Sequence, residues 1–308
     1  MSDTIRIVEV GPRDGLQNEA TPINTEQKNS LVESLVLAGL QHIELTSFVH
    51  PKAVPQMADA DEVMKTNRAK FPHIDFMGLV FNQRGYDRAL AAGAKSMAFG
   101  VAVSETFSSK NTRRTPEEAF QTTKLLLEQA KRDGIYTRVY VMTAWVCPFE
   151  GEIPPFRTIR LSEQLWALGA DELALADTIG FANPFAVGML MEELGRRLDM
   201  NRLAIHLHDT QAMGLANATT ALQAGVRIFD SSVGGLGGCP FAPGAAGNLA
   251  TEDLVFLAYK MGIGTGVDFD RLWDAVYQLQ GWIDRPIGGR IRAWWESYCN
   301  REPELSIG

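Results

Sequence analysis

The 308-residue chain has only 3 cysteines, at positions 147, 239 and 299. So sparse and odd a set cannot staple a disulfide scaffold and suits a reducing compartment. It has no run of about 18 uninterrupted apolar residues, which excludes a spanning helix. Positive charge is also short: Lys and Arg number 29 against 37 Asp and Glu, a net charge of −8. That excludes a generic nucleic-acid binder, which needs a basic face. It does not exclude an anionic small substrate, which a few local cations can hold. The opening residues MSDTIRIVEV enter a strand-like run at once, with no apolar or Arg/Ser-rich presequence, so a cytoplasmic location is expected. No linker, low-complexity stretch or internal repeat divides the chain, so a single domain over 1–308 is expected.

Against these absences stands a regular alternation. Eight short apolar runs begin at Ile5, His42, Asp75, Ser96, Tyr136, Glu172, Leu203 and Ile228. Each is rich in Val, Ile, Leu or Phe, as strands buried on both faces are. Amphipathic stretches separate them. One opens at Thr25 as N-cap and closes at Gly39; another opens with Thr115-Pro116 and closes at Gly134. Ala-Gly or Leu-Gly recurs just before strands, at Ala38-Gly39, Ala92-Gly93, Leu168-Gly169 and Ala224-Gly225. Eight βα units about 30 residues apart predict an α/β fold, a (β/α)8 TIM barrel over 5–265. The competing doubly wound sheet lacks its G-x-G-x-x-G after the first strand. Residues 266–308 predict a C-terminal helical extension, FDRLWDAVYQLQGWI and then PIGGRIRAWWESY. These helices are expected to cross a barrel face or mediate homo-oligomer contacts (dimer or tetramer), with Trp294, Trp295 and Tyr298 as the contact cluster.

In such a barrel, chemistry sits at the C-terminal ends of the strands. The seventh strand ends His206-Leu-His208-Asp209, and alternate residues share a face. Two of only 5 histidines on one strand face read as a metal pair. The ordinary alternative is two hydrogen-bonded core histidines. Asp14, at the end of the first strand, can complete the site, and a mixed His/carboxylate set suits Mg²⁺, Mn²⁺ or Zn²⁺. Arg13 adjoins it with fixed positive charge, suited to an enolate or carboxylate oxygen. Glu44 and Asp177 are carboxylates at further strand ends, for orientation or proton transfer, or else ion pairs on the barrel exterior. After the eighth strand, six of the 28 glycines fall between Gly234 and Gly247. This loop suits lid closure, and it carries Cys239 as an acid/base candidate and Asn248 as a possible fourth ligand. Lys110, Asn111, Arg113 and Arg114 follow the fourth strand as an anion-binding or merely solvated loop.

Taken together, Val10-Gly-Pro-Arg-Asp-Gly-Leu-Gln-Asn-Glu19, Glu44-Leu-Thr-Ser-Phe48, Pro55-Gln-Met57, His206-Leu-His-Asp-Thr210 and Asp230-Ser-Ser-Val-Gly-Gly-Leu-Gly-Gly-Cys-Pro240 running on to Gly247-Asn-Leu-Ala-Thr-Glu-Asp253 resemble the 3-hydroxy-3-methylglutaryl-CoA lyase family. The resemblance covers residues 5 to 285. It implies retro-Claisen cleavage of a 3-hydroxyacyl-CoA to acetyl-CoA and acetoacetate, as in leucine breakdown and ketone-body formation. It implies a divalent ion (Mg²⁺ or Mn²⁺) on Asp14, His206, His208 and Asn248, with CoA entering as part of the substrate. Arg13 matches the residue that stabilises the enolate, and Cys239 the loop thiol. Gln17, Glu44, Ser47, Asp177 and Thr178 match supporting positions, and Lys110 and Asn111 the CoA region. The chain departs from the family at Ala20, at Gln211-Ala212 and at Trp145. Trp145 is expected to reshape a pocket wall and with it the acyl group accepted, citramalyl-CoA or a longer branched 3-hydroxyglutaryl-CoA being the alternatives. A condensing synthase and a non-catalytic barrel are the remaining readings.

Overall fold

A computed structural model describes residues 3–238 and 247–299. Eight parallel strands close into a barrel in the order β1-β10-β9-β8-β5-β4-β3-β2. They are β1 (Arg6–Glu9), β2 (His42–Ser47), β3 (Asp75–Leu79), β4 (Ser96–Ala102), β5 (Tyr136–Met142), β8 (Glu172–Asp177), β9 (Leu203–Leu207) and β10 (Ile228–Ser231). A two-stranded hairpin, β6 (Val146–Cys147) and β7 (Gly151–Glu152), lies outside the barrel and was not read from the sequence. The eight apolar runs supply the eight staves.

The outer wall consists of α1 (Thr25–Leu37), α2 (Ala60–Lys70), α3 (Gln83–Ala91), α4 (Glu105–Thr112), α5 (Pro116–Asp133), α6 (Pro155–Ala167), α7 (Pro184–Gly195), α8 (Gly214–Gln223) and α9 (Thr251–Lys260). Local chemistry sets their ends. Thr115 and Glu118 form a capping box at α5, with Pro116 in the first turn and Gly134 left-handed at the end. For α1 the cap is Asn24 rather than Thr25: its Oδ1 accepts from the Gln27 amide at 2.9 Å, while the Thr25 hydroxyl donates to Asp59 at 2.8 Å. Both residues can cap, and Asn24 is the one left in extended backbone. The glycines before strands all take positive φ, from +87° at Gly93 to +100° at Gly225.

Two cores result. Between strands and helices lies the larger one, including Leu31, Phe48, Phe76, Val139 and Leu254. Inside the barrel, Val8, Met77, Leu79, Ala98, Ala174, Ala204 and Ile228 pack around Tyr140. Among them sit buried charges, namely Glu44, Arg138, Glu172 and Asp230. A charge in such a place needs a partner.

The C-terminal extension is helical in two pieces, α10 (Phe269–Gln280) and α11 (Arg292–Cys299). Rather than crossing a barrel end, α10 lies beside α1, with Ser34 donating to Gln278 at 2.8 Å and the Asp268 amide to Ala38 at 2.8 Å. The expected helix beginning at Pro286 starts only at Arg292. Before it, the amides of Arg290 and Ile291 are turned onto the Asp253 carboxylate at 2.7 and 2.9 Å, so they cannot serve a helix. Trp295 is buried and stacked on Trp273, with centroids 5.7 Å apart. No helix among the described residues is long and apolar enough to cross a membrane.

Candidate active site

The site is assembled at one end of the barrel by the turn after β1, the ends of β2, β5 and β9, and a segment after β10. Gly11–Gly15 forms a single wide helical turn in which the amides of Arg13, Asp14 and Gly15 converge on the Val10 carbonyl at 3.1, 2.7 and 3.2 Å. The turn is anchored from beneath by buried Glu9. One of its oxygens accepts from the Gly11 and Val233 amides at 2.7 and 2.9 Å, and the other from the Thr251 hydroxyl at 2.6 Å. Burial pushes the Glu9 carboxyl up to about 7, those donors notwithstanding.

Arg13 emerges buried against Glu44. Its Nε donates to Glu44 Oε1 at 2.8 Å and its Nη2 to Oε2 at 3.1 Å, while Nη1 pairs with Asp14. Burial alone would lower its pKa; the Asp14 and Glu44 charges outweigh that and raise it, so it stays a cation. Burial likewise pushes the Asp14 carboxyl up, but Arg13 and the two histidines hold it well below the usual range.

His206 is the penultimate residue of β9, and His208 lies just beyond its end. The segment after the glycine-rich loop runs back along them: the Asp209 amide donates to Gly247 and the Leu249 amide to Leu207, each at 2.9 Å, which sets Asn248 opposite His208. Gly247 is needed for this approach, because a Cβ there would lie 2.2 Å from the Gly235 carbonyl oxygen. The Nε2 atoms of His206 and His208 are 3.2 Å apart, and each is 3.9 Å from Asp14 Oδ2. Asn248 donates from Nδ2 to Asp14 at 2.8 Å, and its Oδ1 is buried without a partner among the described residues. Two imidazole nitrogens and a carboxylate whose donor atoms lie within 4.8 Å of one another, beside an unpartnered amide oxygen, fit one divalent cation. The rings are not equivalent. Burial lowers both, but Asp230 more than offsets this at His206, whereas at His208 the charge of His206 adds to burial and the pKa falls to about 4.

A cavity of about 340 Å³ opens over this cluster. Arg13, Asp14, Gln17, His206 and Thr178 line its polar side, and Leu79, Phe81, Phe107 and Met142 its apolar side.

Against known proteins, the HMGL-like family model matches residues 4–278. Hydroxymethylglutaryl-CoA lyase YngG of Bacillus subtilis is 43% identical over 287 residues, 93% of this chain and 95% of that protein. The mitochondrial hydroxymethylglutaryl-CoA lyase of Homo sapiens is 45% identical over 88% of this chain and 83% of its own. The crystal structure of the Bacillus subtilis HMG-CoA lyase superposes with a TM-score of 0.92 at 41% identity, covering 96% of this chain and 100% of that one. An Acinetobacter baumannii HMG-CoA lyase in complex with coenzyme A and 3-methylmalate gives 0.91 at 35% identity, covering 100% and 99%. The chain belongs to the HMG-CoA lyase family. It is a carbon–carbon lyase with a TIM-barrel fold.

For this lyase, the structure gathers Arg13, Asp14, Glu44, His206, His208 and Asn248 into one contact network, with Gln17, Thr178 and Asn111 on the cavity wall. Ser47 is buried on β2 with its hydroxyl toward the Leu79 carbonyl, and it does not line the cavity. Nor does Asp177, whose two oxygens accept from the Phe181 and Ala182 amides at 3.0 and 3.1 Å and so hold the turn after β8. Burial raises its pKa to about 6. Lys110 stands 4.4 Å over the Phe149 ring, outside the cavity lining, whereas Arg114 reaches it and donates to the Phe81 carbonyl at 2.8 Å.

Trp145 does not form a pocket wall. It lies in the outer core with Nε1 donating to the Ala186 carbonyl at 3.1 Å, because it follows the end of β5, beyond the inward alternation that ends at Met142. Cys239 falls outside the described residues; Gly238 before it lines the cavity and accepts from Asn18 at 2.9 Å.

Sequence reasoning missed Tyr140, Arg138 and Asp230. Tyr140 lines the cavity, and its hydroxyl lies 2.6 Å from Glu44 and 3.0 Å from Asp230. The available signal was the alternation Arg138-Val-Tyr140 on β5, two polar residues on the face opposite Val139 and Val141.

Proposed function

We propose that this lyase cleaves 3-hydroxy-3-methylglutaryl-CoA to acetyl-CoA and acetoacetate. The observation that carries the proposal is the convergence of Asp14, His206 and His208 beside the paired guanidinium of Arg13 at the cavity. Asp14, His206, His208 and Asn248 would hold Mg²⁺ or Mn²⁺, and a bound cation supplies Lewis acidity toward the substrate's hydroxyl and carboxylate oxygens. Arg13, held by Glu44, keeps a fixed positive charge where the thioester oxygen becomes an enolate. In the reaction a base at the site takes the hydroxyl proton as the bond from the carbinol carbon to the thioester α-carbon breaks. Its electron pair passes into the thioester enolate. A proton delivered to that carbon gives acetyl-CoA, and the carbinol carbon becomes the ketone of acetoacetate. We assign the proton delivery to Cys239, next to cavity-lining Gly238. Gln17 and Thr178 orient the acyl group, Ser47 and Asp177 support that wall from behind, and Asn111, Arg114 and Lys110 serve the CoA end. The sparse cysteines suit a cytoplasmic setting and work as a homo-oligomer is part of the proposal.

Incubation of the purified chain with 3-hydroxy-3-methylglutaryl-CoA and Mg²⁺ or Mn²⁺ should release acetyl-CoA and acetoacetate in equal amounts. No release from that substrate would overturn the assignment. A second reading has support in the apolar wall of Leu79, Phe81, Phe107 and Met142, which offers more surface than one methyl group covers. In that reading a longer 3-alkyl group is preferred, and a panel of CoA thioesters compared by kcat/KM decides between them.

A further inference from the structure

The two histidines of the cluster are backed differently. Behind His206, Nδ1 lies 3.0 Å from Asp230 Oδ2. The contact is built into the sheet, where Asp230 of β10 is the register partner of His206 on β9. The other oxygen of Asp230 accepts from Arg138 Nη2 at 2.5 Å. Arg138 is fully buried, its Nε is 3.0 Å from Glu172 Oε1, and its guanidinium stands 5.2 Å over the Tyr140 ring. Behind His208 there is no such device: its Nδ1 is buried without a hydrogen-bond partner among the described residues.

We propose that Asp230, oriented by Arg138, is a positioning residue that fixes the tautomer of neutral His206 so that its Nε2 presents a lone pair to the cation site. The inference rests on the metal reading given above. An ionised carboxylate only accepts, so the neutral imidazole must carry its proton on Nδ1, which leaves Nε2 bare. His206 is therefore preset for a cation, whereas nothing among the described residues fixes the tautomer of His208.

Asp230→Asn separates this from a merely structural role. Arg138 donates to the Oδ1 position and will claim the amide oxygen, so the amide NH₂ faces His206. It can only donate there, which forces the proton of His206 onto Nε2, the wrong atom for ligation. The experiment is a titration of the chelator-treated full chain with Mn²⁺, followed by the electron spin resonance of free Mn²⁺. Long-range ¹⁵N–¹H spectra of the histidines accompany it. Wild type should bind one Mn²⁺ with the His206 proton on Nδ1. Asp230→Asn should bind roughly 10–100-fold more weakly, the usual cost of losing such a partner, with the proton on Nε2. In the double variant Arg138→Met/Asp230→Asn the amide is free to turn its oxygen to His206, and much of the affinity should return. Binding by Asp230→Asn within twofold of wild type would overturn the inference. So would a neutral wild-type His206 that carries its one proton on Nε2 without metal, a result that needs no variant to fold. Failure of wild type to bind Mn²⁺ at all would instead defeat the metal reading, and this inference with it.

Discussion

Arg13 and Glu44 meet inside the barrel through two parallel hydrogen bonds, 2.8 Å from Nε and 3.1 Å from Nη2, with neither side chain more than 8% exposed. A bidentate pair of this kind fixes the plane of the guanidinium as well as its charge. Glu44 therefore acts through Arg13. Glu44→Gln keeps the shape and one acceptor oxygen but loses the charge and leaves one guanidinium N–H unpaired. It should lower kcat by about 100-fold, the range seen when a preorganised electrostatic donor is disturbed, and leave KM nearly unchanged. The orphaned donor should cost about 1–3 kcal/mol of stability. Steady-state kinetics and urea unfolding measure the two effects, and an unchanged kcat would remove Arg13 from the enolate side of the reaction.

Cation binding should be visible without catalysis. A ligand that binds only the folded chain stabilises it by about 2.7 kcal/mol at 100 times its Kd, so saturating Mn²⁺ should raise Tm by several degrees. His208→Ala and Asp14→Asn should each melt as folded proteins yet lose most of that rise. A full Mn²⁺ shift in His208→Ala would take His208 out of the ligand set.

Glu252 carries a prediction of unusual sign. It is fully buried, and burial first, then the neighbouring Asp253, pushes its carboxyl up to about 8 from an ordinary 4.5. A carboxyl raised on folding holds its proton more tightly in the native state. Its contribution is complete below pH 4.5 and is lost as pH rises through 8. Glu252→Gln mimics the protonated form and has no proton to lose. The variant should match wild type near pH 5 and become the more stable protein by pH 8.5, by up to a few kcal/mol at about 1.4 kcal/mol per unit. The measurement is Tm against pH for both proteins in chelator, so that cation binding does not enter. Parallel curves would show that Glu252 is ionised in the fold throughout.

The barrel was legible because its signal is repeated eight times, and the candidate metal cluster because His206 and His208 stand two apart at the end of one strand. What stayed hidden depends on register between strands. Nothing in the sequence aligns Asp230 with His206; that follows from how β10 pairs with β9. Arg138 and Tyr140 share a face of β5, but only barrel closure brings them to Asp230 and Glu44 across the interior. The misplacement of Trp145 has the same origin, since alternation stops at the end of β5 and says nothing about the next turn.

Cys239→Ser tests the assigned proton donor. A serine hydroxyl is nearly the same size as the thiol but a far weaker acid, so turnover should fall by about 10²–10⁴-fold, the usual contribution of a positioned acid or base. Tm and the Mn²⁺ shift should stay at wild-type values. Turnover within a few-fold of wild type would reassign the proton to another group lining the cavity.

Acyl preference should follow Met142 and not Trp145. Met142 lines the cavity, and with Phe81 it fills the space beside Gly100, where a Cβ would approach the Phe81 ring to 3.0 Å and the Met142 methyl to 3.1 Å. Trp145 packs outward, its indole N–H committed to Ala186. Met142→Ala should open the apolar wall and raise kcat/KM for a longer 3-alkyl substrate relative to the 3-methyl one by about 10-fold or more, because a methylene in an apolar pocket is worth about 1–3 kcal/mol. Trp145→Phe loses that hydrogen bond and should cost stability while leaving the ratio between the two substrates where it was. Kinetics of both variants on the same pair of CoA thioesters decide the point. A shifted ratio in Trp145→Phe with none in Met142→Ala would place the specificity wall on the outer side of β5.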